Sequence, residues 1–249
     1  MGAGAARRYL ADQERALLDA TARLRDGDRS AVRTSRVAVR RARSTLRTFR
    51  ACFPSGPARQ LDAALVAHAR RLGTVRDLQV LDDVFVTGVA GEISDALSGW
   101  IHDRLGAELE AAWHDASAAV AAADDGELRS RFSAVLEATA PGDVRMRKRA
   151  RAAARRAAKR LAGACGDPDA LHDARKAAKR ARYAAEVTGK VGQAARQQHV
   201  QRVLGTHHDL TVAARWLAAA PVEPAARPEA LRLVGRLEVA ATDCLGGLA

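Results

Sequence analysis

Apolar residues recur along most of the chain at steps of three and four, the period of one face of an α-helix. The pattern breaks at Asp26-Gly27-Asp28, Pro54-Ser55-Gly56-Pro57, Thr87-Gly88, Ala140-Pro141-Gly142, Gly166-Asp167-Pro168, Thr188-Gly189 and the stretch holding Pro221, Pro224 and Pro228. Glycine, proline and aspartate in such clusters end helices. The spacing therefore predicts helices over 6–25, 30–53, 57–86 and 92–123, a connecting helix over 126–139, and helices over 143–164, 169–188, 191–219 and 227–246. Four amphipathic helices in each half, joined by short loops, predict an all-α chain of two four-helix bundles, over 1–124 and 125–249.

Composition supports the helical reading. Alanine supplies 58 of 249 residues and aromatics only 4 %, whereas strands favour β-branched and aromatic side chains. With 48 % hydrophobic residues, the chain has too much apolar content for a disordered basic tail. No run approaches the roughly 18 apolar residues of a membrane span. The N-terminal residues show no apolar signal region, so a cytoplasmic protein with no membrane partner is expected. Cys52, Cys165 and Cys244 are odd in number and far apart, which predicts reduced thiols and neither a disulfide framework nor a zinc site. Trp100, Trp113 and Trp216 are expected to anchor the alanine-rich bundles.

The chain carries 41 Lys and Arg against 29 Asp and Glu, a net charge of +12, and the excess is local. No acid occurs from Arg29 to Leu61, none between Val144 and Gly166, and none from Arg175 to Arg182. Within the first of these stretches Val32, Val39, Ala42, Leu46, Phe49 and Phe53 mark a buried face. Arg33, Arg36, Arg40, Arg43, Arg47 and Arg50 follow the same steps one residue on, about 100° round the helix. Like charges at this spacing destabilise a helix, and no glutamate is interspersed to relieve them. The stripe points to an external polyanion.

Two motifs recur in the same order. Val32-Arg33-Thr34-Ser35-Arg36-Val37-Ala38-Val39-Arg40-Arg41-Ala42-Arg43 aligns without gaps on Leu171-His172-Asp173-Ala174-Arg175-Lys176-Ala177-Ala178-Lys179-Arg180-Ala181-Arg182. Leu72-Gly73 through Asp77-Leu78 aligns on Leu204-Gly205 through Asp209-Leu210. An internal duplication is the expectation, with the halves paired about a pseudo-two-fold axis so that both stripes share one surface.

On these motifs the chain resembles the CHAD domains (conserved histidine α-helical domain), which bind inorganic polyphosphate. Arg36-Val37 and Arg40-Arg41-Ala42-Arg43 match the family's first motif, although Arg33 stands where a histidine is expected. The second copy keeps its histidine, His172, and both leucine-glycine-aspartate motifs match. The resemblance implies a basic surface or pore between two helical bundles. Arg33, Arg36, Arg40, Arg43, Arg47, Lys148, Arg151, Arg155, His172, Arg175, Lys179 and Arg182 would hold polyphosphate there, with Arg76, Asp77, His208 and Asp209 in support. Arginine suits the task, because its planar fork binds phosphate oxygens in pairs and stays charged.

A nucleic acid is the competing polyanion, since a basic stripe serves either. No DNA-reading motif or aromatic stacking platform is visible, which makes nucleic acid the weaker competitor. His207-His208-Asp209 is the densest ligand-like cluster, and His172 could join it in space, but adjacent helical positions diverge by about 100°; no metal or cofactor is expected, and a His/Asp metal-binding protein is the least favoured alternative. Asp77 and Asp209 are expected to pair with nearby basic side chains. His68, His102, His114 and His199 lie singly in helical patterns and fit packing or surface roles. No Ser-His-Asp pattern, Walker loop or carboxylate cluster marks a catalytic centre, so an enzyme is not expected; the resemblance implies a binding protein that attaches to polyphosphate granules.

Overall fold

The computed structural model describes residues 3–88, 93–139, 145–164 and 166–248. These form ten α-helices and, among the described residues, no strand: α1 (Ala3–Arg25), α2 (Ala31–Thr48), α3 (Ser55–Arg71), α4 (Gly73–Gly88), α5 (Asp95–Ala121), α6 (Asp125–Glu137), α7 (Met146–Ala162), α8 (Pro168–Val187), α9 (Val191–Ala219) and α10 (Arg227–Cys244). Short 3-10 turns follow α2 and α10. The all-α expectation holds. Cys165 and the break at Ala140-Pro141-Gly142 lie outside the described residues.

Helix ends follow local chemistry. Asp167 accepts a hydrogen bond from the Ala170 backbone N–H, and Pro168 opens α8, where a missing N–H costs nothing. Asp124 caps α6 through Gly126. Gly27 ends α1 at φ +86°, with Asp28 N–H bonded to Arg23 O and Gly27 N–H to Leu24 O. This left-handed C-terminal arrangement favours glycine.

One expected helix is two. The periodic pattern runs unbroken through 57–86, yet α3 stops at Arg71, and Leu72 leaves helical geometry at φ −104°, ψ 7°. Gly73 has low helix propensity. Arg36 of α2 donates from Nη1 to the Ala69 carbonyl at 2.7 Å, satisfying a carbonyl in the last turn of α3. In α9 the matching Leu204-Gly205 sits inside a continuous helix.

The helices partition into two compact units that cut across the sequence halves 1–124 and 125–249. Unit 1 is Met1–Gly73 with Asp115–His199, and unit 2 is Thr74–His114 with Val200–Ala249. Unit 1 thus holds six whole helices, α1, α2, α3, α6, α7 and α8, and is larger than a four-helix bundle. Within it α1 packs on α2 and α7 on α8, α2 also packs on α8, and α6 closes against α1 and α3. Leu10, Leu17, Phe49, Leu61, Leu65 and Phe132 fill its core. Alanines at 42, 150, 153, 157, 181 and 184 are buried with them, and such small side chains let helix axes approach.

Unit 2 joins α4, the first part of α5, the second part of α9, and α10. Trp216 lies 5.5 Å from Phe85 and 6.3 Å from Trp100 between ring centroids, inside the cluster of Leu97, Ile101 and Leu217. Trp113, the third tryptophan, is half-buried in the same unit. His207 bonds through Nδ1 to the Ala241 carbonyl at 2.9 Å and ties α9 to α10. Cys52 is buried in unit 1 and Cys244 half-buried in unit 2, both as free thiols.

Candidate anion-binding site

The three acid-free segments of the sequence all fall in unit 1, the first on α2 and the start of α3, the others on α7 and α8. Unit 1 carries 34 Lys and Arg against 16 Asp and Glu, a net of +18, while unit 2 carries 7 against 13, a net of −6. The overall +12 is therefore a difference between two oppositely charged bodies.

On α2 the expected stripe is partly neutralised from neighbouring helices. Arg43 Nε and Arg47 Nη2 bond the two carboxylate oxygens of Asp62 on α3, at 2.8 and 2.9 Å. Burial pushes the Asp62 carboxyl up, but these two arginines outweigh it and hold the group below its ordinary value. Arg36 is engaged at the end of α3. Arg33 is exposed, and Arg40 is half-buried with its Nε lacking a hydrogen-bond partner.

A second acid serves the junction of α2 and α8. Glu186 accepts from Arg182 Nε at 2.9 Å and from the Tyr9 hydroxyl of α1 at 2.5 Å, and lies 3.3 Å from Arg41 Nε. Both Arg41 and Arg182 also sit over the Tyr183 ring, 5.8 and 5.9 Å from its centroid. Burial first, then the bond to Glu186, pushes the Tyr9 hydroxyl far above its usual range. Arg182 is thus shared between the α8 stripe and an internal network.

α7 is different. It holds eight Lys and Arg in 17 residues, no acid, and buries only Met146, Ala150, Ala153 and Ala157. Lys148, Arg151, Arg155 and Lys159 are exposed along one face, spanning about 16 Å of helix axis. Among the described residues only Arg160 of this helix pairs with a carboxylate, Asp173 at 3.3 Å. Arg145, just before the helix, is exposed as well.

On α8, His172 is exposed while Arg175 and Lys179 are half-buried. Partial burial, followed by Lys176, Arg175 and Lys179, lowers the His172 pKa below its usual value. The adjoining face of α8 carries Lys176 and Arg180, which the sequence reading left out. With Arg156 and Arg160 of α7 they line a cleft of about 290 Å³. Burial, and then Arg47, Arg156 and Arg160, lower the Arg180 pKa. Cations of α2, α7 and α8 therefore converge on one residue.

A family model described as the CHAD domain matches residues 8–218. The chain belongs to the CHAD domain family. Two solved structures share this CHAD fold. PptA from Streptomyces chartreusis superposes with a TM-score of 0.80 at 18 % identity, covering 99 % of this chain and 97 % of its own. The CHAD domain from the plant Ricinus communis superposes at 0.72 with 23 % identity, covering 99 % and 91 %. No curated protein matches this chain in sequence.

The supporting residues named from the second motif of this CHAD domain lie in unit 2. Arg76 bonds Gln79 at 3.3 Å and approaches Asp83 at 3.8 Å. Asp77 was expected to pair with a basic side chain. Instead it is exposed at the edge of the face that buries Val75, Leu78 and Leu81, and among the described residues it takes no ion pair. His208 and Asp209 are half-buried on α9. Among the described residues no three His, Cys, Asp or Glu side chains converge as a metal ion would require. No helix of the described residues is long and apolar enough to cross a membrane.

Sequence reasoning missed the acids that hold the stripe. Glu186 was legible as the i,i+4 partner of Arg182, and Asp62 is the first acid after the acid-free stretch. It also missed Arg156, Arg160, Lys176 and Arg180, whose grouping depends on the packing of α7 against α8.

Proposed function

We propose that this CHAD domain binds inorganic polyphosphate through unit 1 and does not cleave it. The observation that carries the reading is the segregation of charge, +18 on one compact unit, with an α7 that holds eight cations and no acid of its own, of which, among the described residues, only Arg160 pairs with a carboxylate. Membership of the CHAD family selects polyphosphate among polyanions. Lys148, Arg151 and Arg155 would neutralise successive phosphates along α7, and Arg33, Arg40, His172, Arg175 and Lys179 would extend the surface over α2 and α8. Arg36, Arg43, Arg47 and Arg182 stand in structural bonds, and they would contribute mainly through their field. Binding would release counterions, so affinity should fall steeply with salt.

Titration calorimetry with long-chain polyphosphate at moderate salt tests the reading, with saturable binding and no release of orthophosphate expected. Absence of saturable binding overturns it. Competition separates the ligands: polyphosphate should displace duplex DNA, and DNA should not displace polyphosphate at equal phosphate concentration. In a cell such binding would attach the protein to cytoplasmic polyphosphate granules.

A further inference from the structure

The cleft between α7 and α8 is crowded with like charge. Arg156 and Arg160 enter it from α7, Lys176 and Arg180 from α8, and Ala153 and Ala177 form its floor. Its one acid is Asp173, whose two oxygens are divided: Oδ1 lies 3.0 Å from Lys176 Nζ, and Oδ2 lies 3.3 Å from Arg160 Nη1. The carboxylate thus bridges the two helices in the way one phosphate would, with two oxygens on two cations. Among the described residues Arg156 and Arg180 have no carboxylate partner, and Arg47 adds further positive potential at Arg180. One negative charge serves four cations.

The bridge is also weak. Arg160, Lys176 and Asp173 side chains are about half exposed, the setting in which ion pairs contribute little and exchange readily. A phosphate chain brings several charges and more acceptor oxygens than the carboxylate, and it can reach Arg156 and Arg180 as well.

We propose that the α7–α8 cleft is a phosphate-chain subsite that the protein keeps filled with its own carboxylate, Asp173, until a polyanion displaces it. The inference rests on the polyphosphate reading and adds a built-in competitor to it. Asp173 therefore limits binding of short chains, which gain few contacts elsewhere, more than binding of long ones. It swings out towards solvent when the subsite fills, and both Arg160 and Lys176 transfer to phosphate oxygens.

The test is calorimetry of the full chain with tripolyphosphate and with long-chain polyphosphate, for wild type, Asp173→Asn and the double variant Arg156→Ala/Arg180→Ala. Removing the two half-exposed ion pairs of Asp173, which the ligand must otherwise break, should tighten tripolyphosphate binding about fivefold at low salt. The gain should shrink at 0.5 M salt, where screening is short-ranged. The double variant should weaken binding and lower the salt slope by about two, one for each lost phosphate contact. Helical circular dichroism checks that each variant is folded, and Asp173→Ser serves as a second neutral variant. Unchanged or weaker tripolyphosphate binding in both neutral variants overturns the competitor role. An unchanged salt slope in the double variant overturns the subsite. If wild type fails to bind long-chain polyphosphate, the functional reading itself falls, which is a separate result.

Discussion

Replacing His68 should change how the stability of unit 1 depends on pH. His68 lies on α3 at 4 % exposure, its Nε2 2.8 Å from the Ser35 hydroxyl of α2. Arg71 of its own helix and Arg25 of α1 face it, with Asp125 of α6 opposing them. Burial, reinforced by Arg71, lowers its pKa from 6.5 to about 4. The unfolded chain therefore takes up a proton at this residue before the folded one does. The contribution to stability is complete above about pH 6.5, and it is lost as pH falls towards 4. Over the whole window the loss amounts to about 3 kcal/mol, and between pH 7 and pH 5 to about 2 kcal/mol. Urea unfolding followed by far-ultraviolet circular dichroism at pH 7 and pH 5 measures it. His68→Gln keeps a hydrogen-bonding group beside Ser35 but cannot titrate, so its loss between the two pH values should be smaller than that of wild type by about 2 kcal/mol. Carboxylates titrate in both proteins and cancel in the comparison. Equal losses in the two proteins would refute the reasoning.

Three further outcomes follow from the same geometry. The triple variant Lys148→Ala/Arg151→Ala/Arg155→Ala should lower the polyphosphate salt slope by about three while leaving the melting temperature unchanged or raised, since it also relieves repulsion along α7. Glu186→Gln should cost about 2 kcal/mol in urea unfolding, because Arg41 and Arg182 lose their shared counter-charge and the amide offers one acceptor oxygen where Tyr9 and Arg182 used two; a loss below 0.5 kcal/mol would show the network to be idle. Gly27→Ala, which forces a side chain into φ +86°, should cost about 1 kcal/mol although nothing lies near the added methyl, and calorimetric melting would detect it.

Much of the fold was legible in local pattern. Helix ends at Arg25, Val187 and Ala219 fall within a residue of the expected boundaries, because each is followed by a glycine or proline signal. The buried face of α2 is also as expected, since Val32, Val39, Ala42, Leu46 and Phe49 are all buried. The break at Leu72 was not legible, because it depends on a side chain 36 positions earlier reaching the Ala69 carbonyl. Nor was the interleaving of the units, since an amphipathic stripe shows that a helix packs but not on which partner. The α2 stripe was located correctly as a chain feature and overestimated as free charge. Asp62 lies close in sequence to the stretch, but its pairing with Arg43 and Arg47 needs α3 folded back along α2.

The division of the chain into two units also sorts its chromophores. Trp100, Trp113 and Trp216 are the three tryptophans and all belong to unit 2, while the two tyrosines, Tyr9 and Tyr183, both belong to unit 1. Excitation near the red edge of the aromatic band therefore lights up the acidic unit alone. The basic unit is spectrally silent there, and its melting shows only in backbone dichroism or tyrosine signals. One unlabelled sample can thus report, at two wavelengths, whether the two bodies unfold as one or in succession.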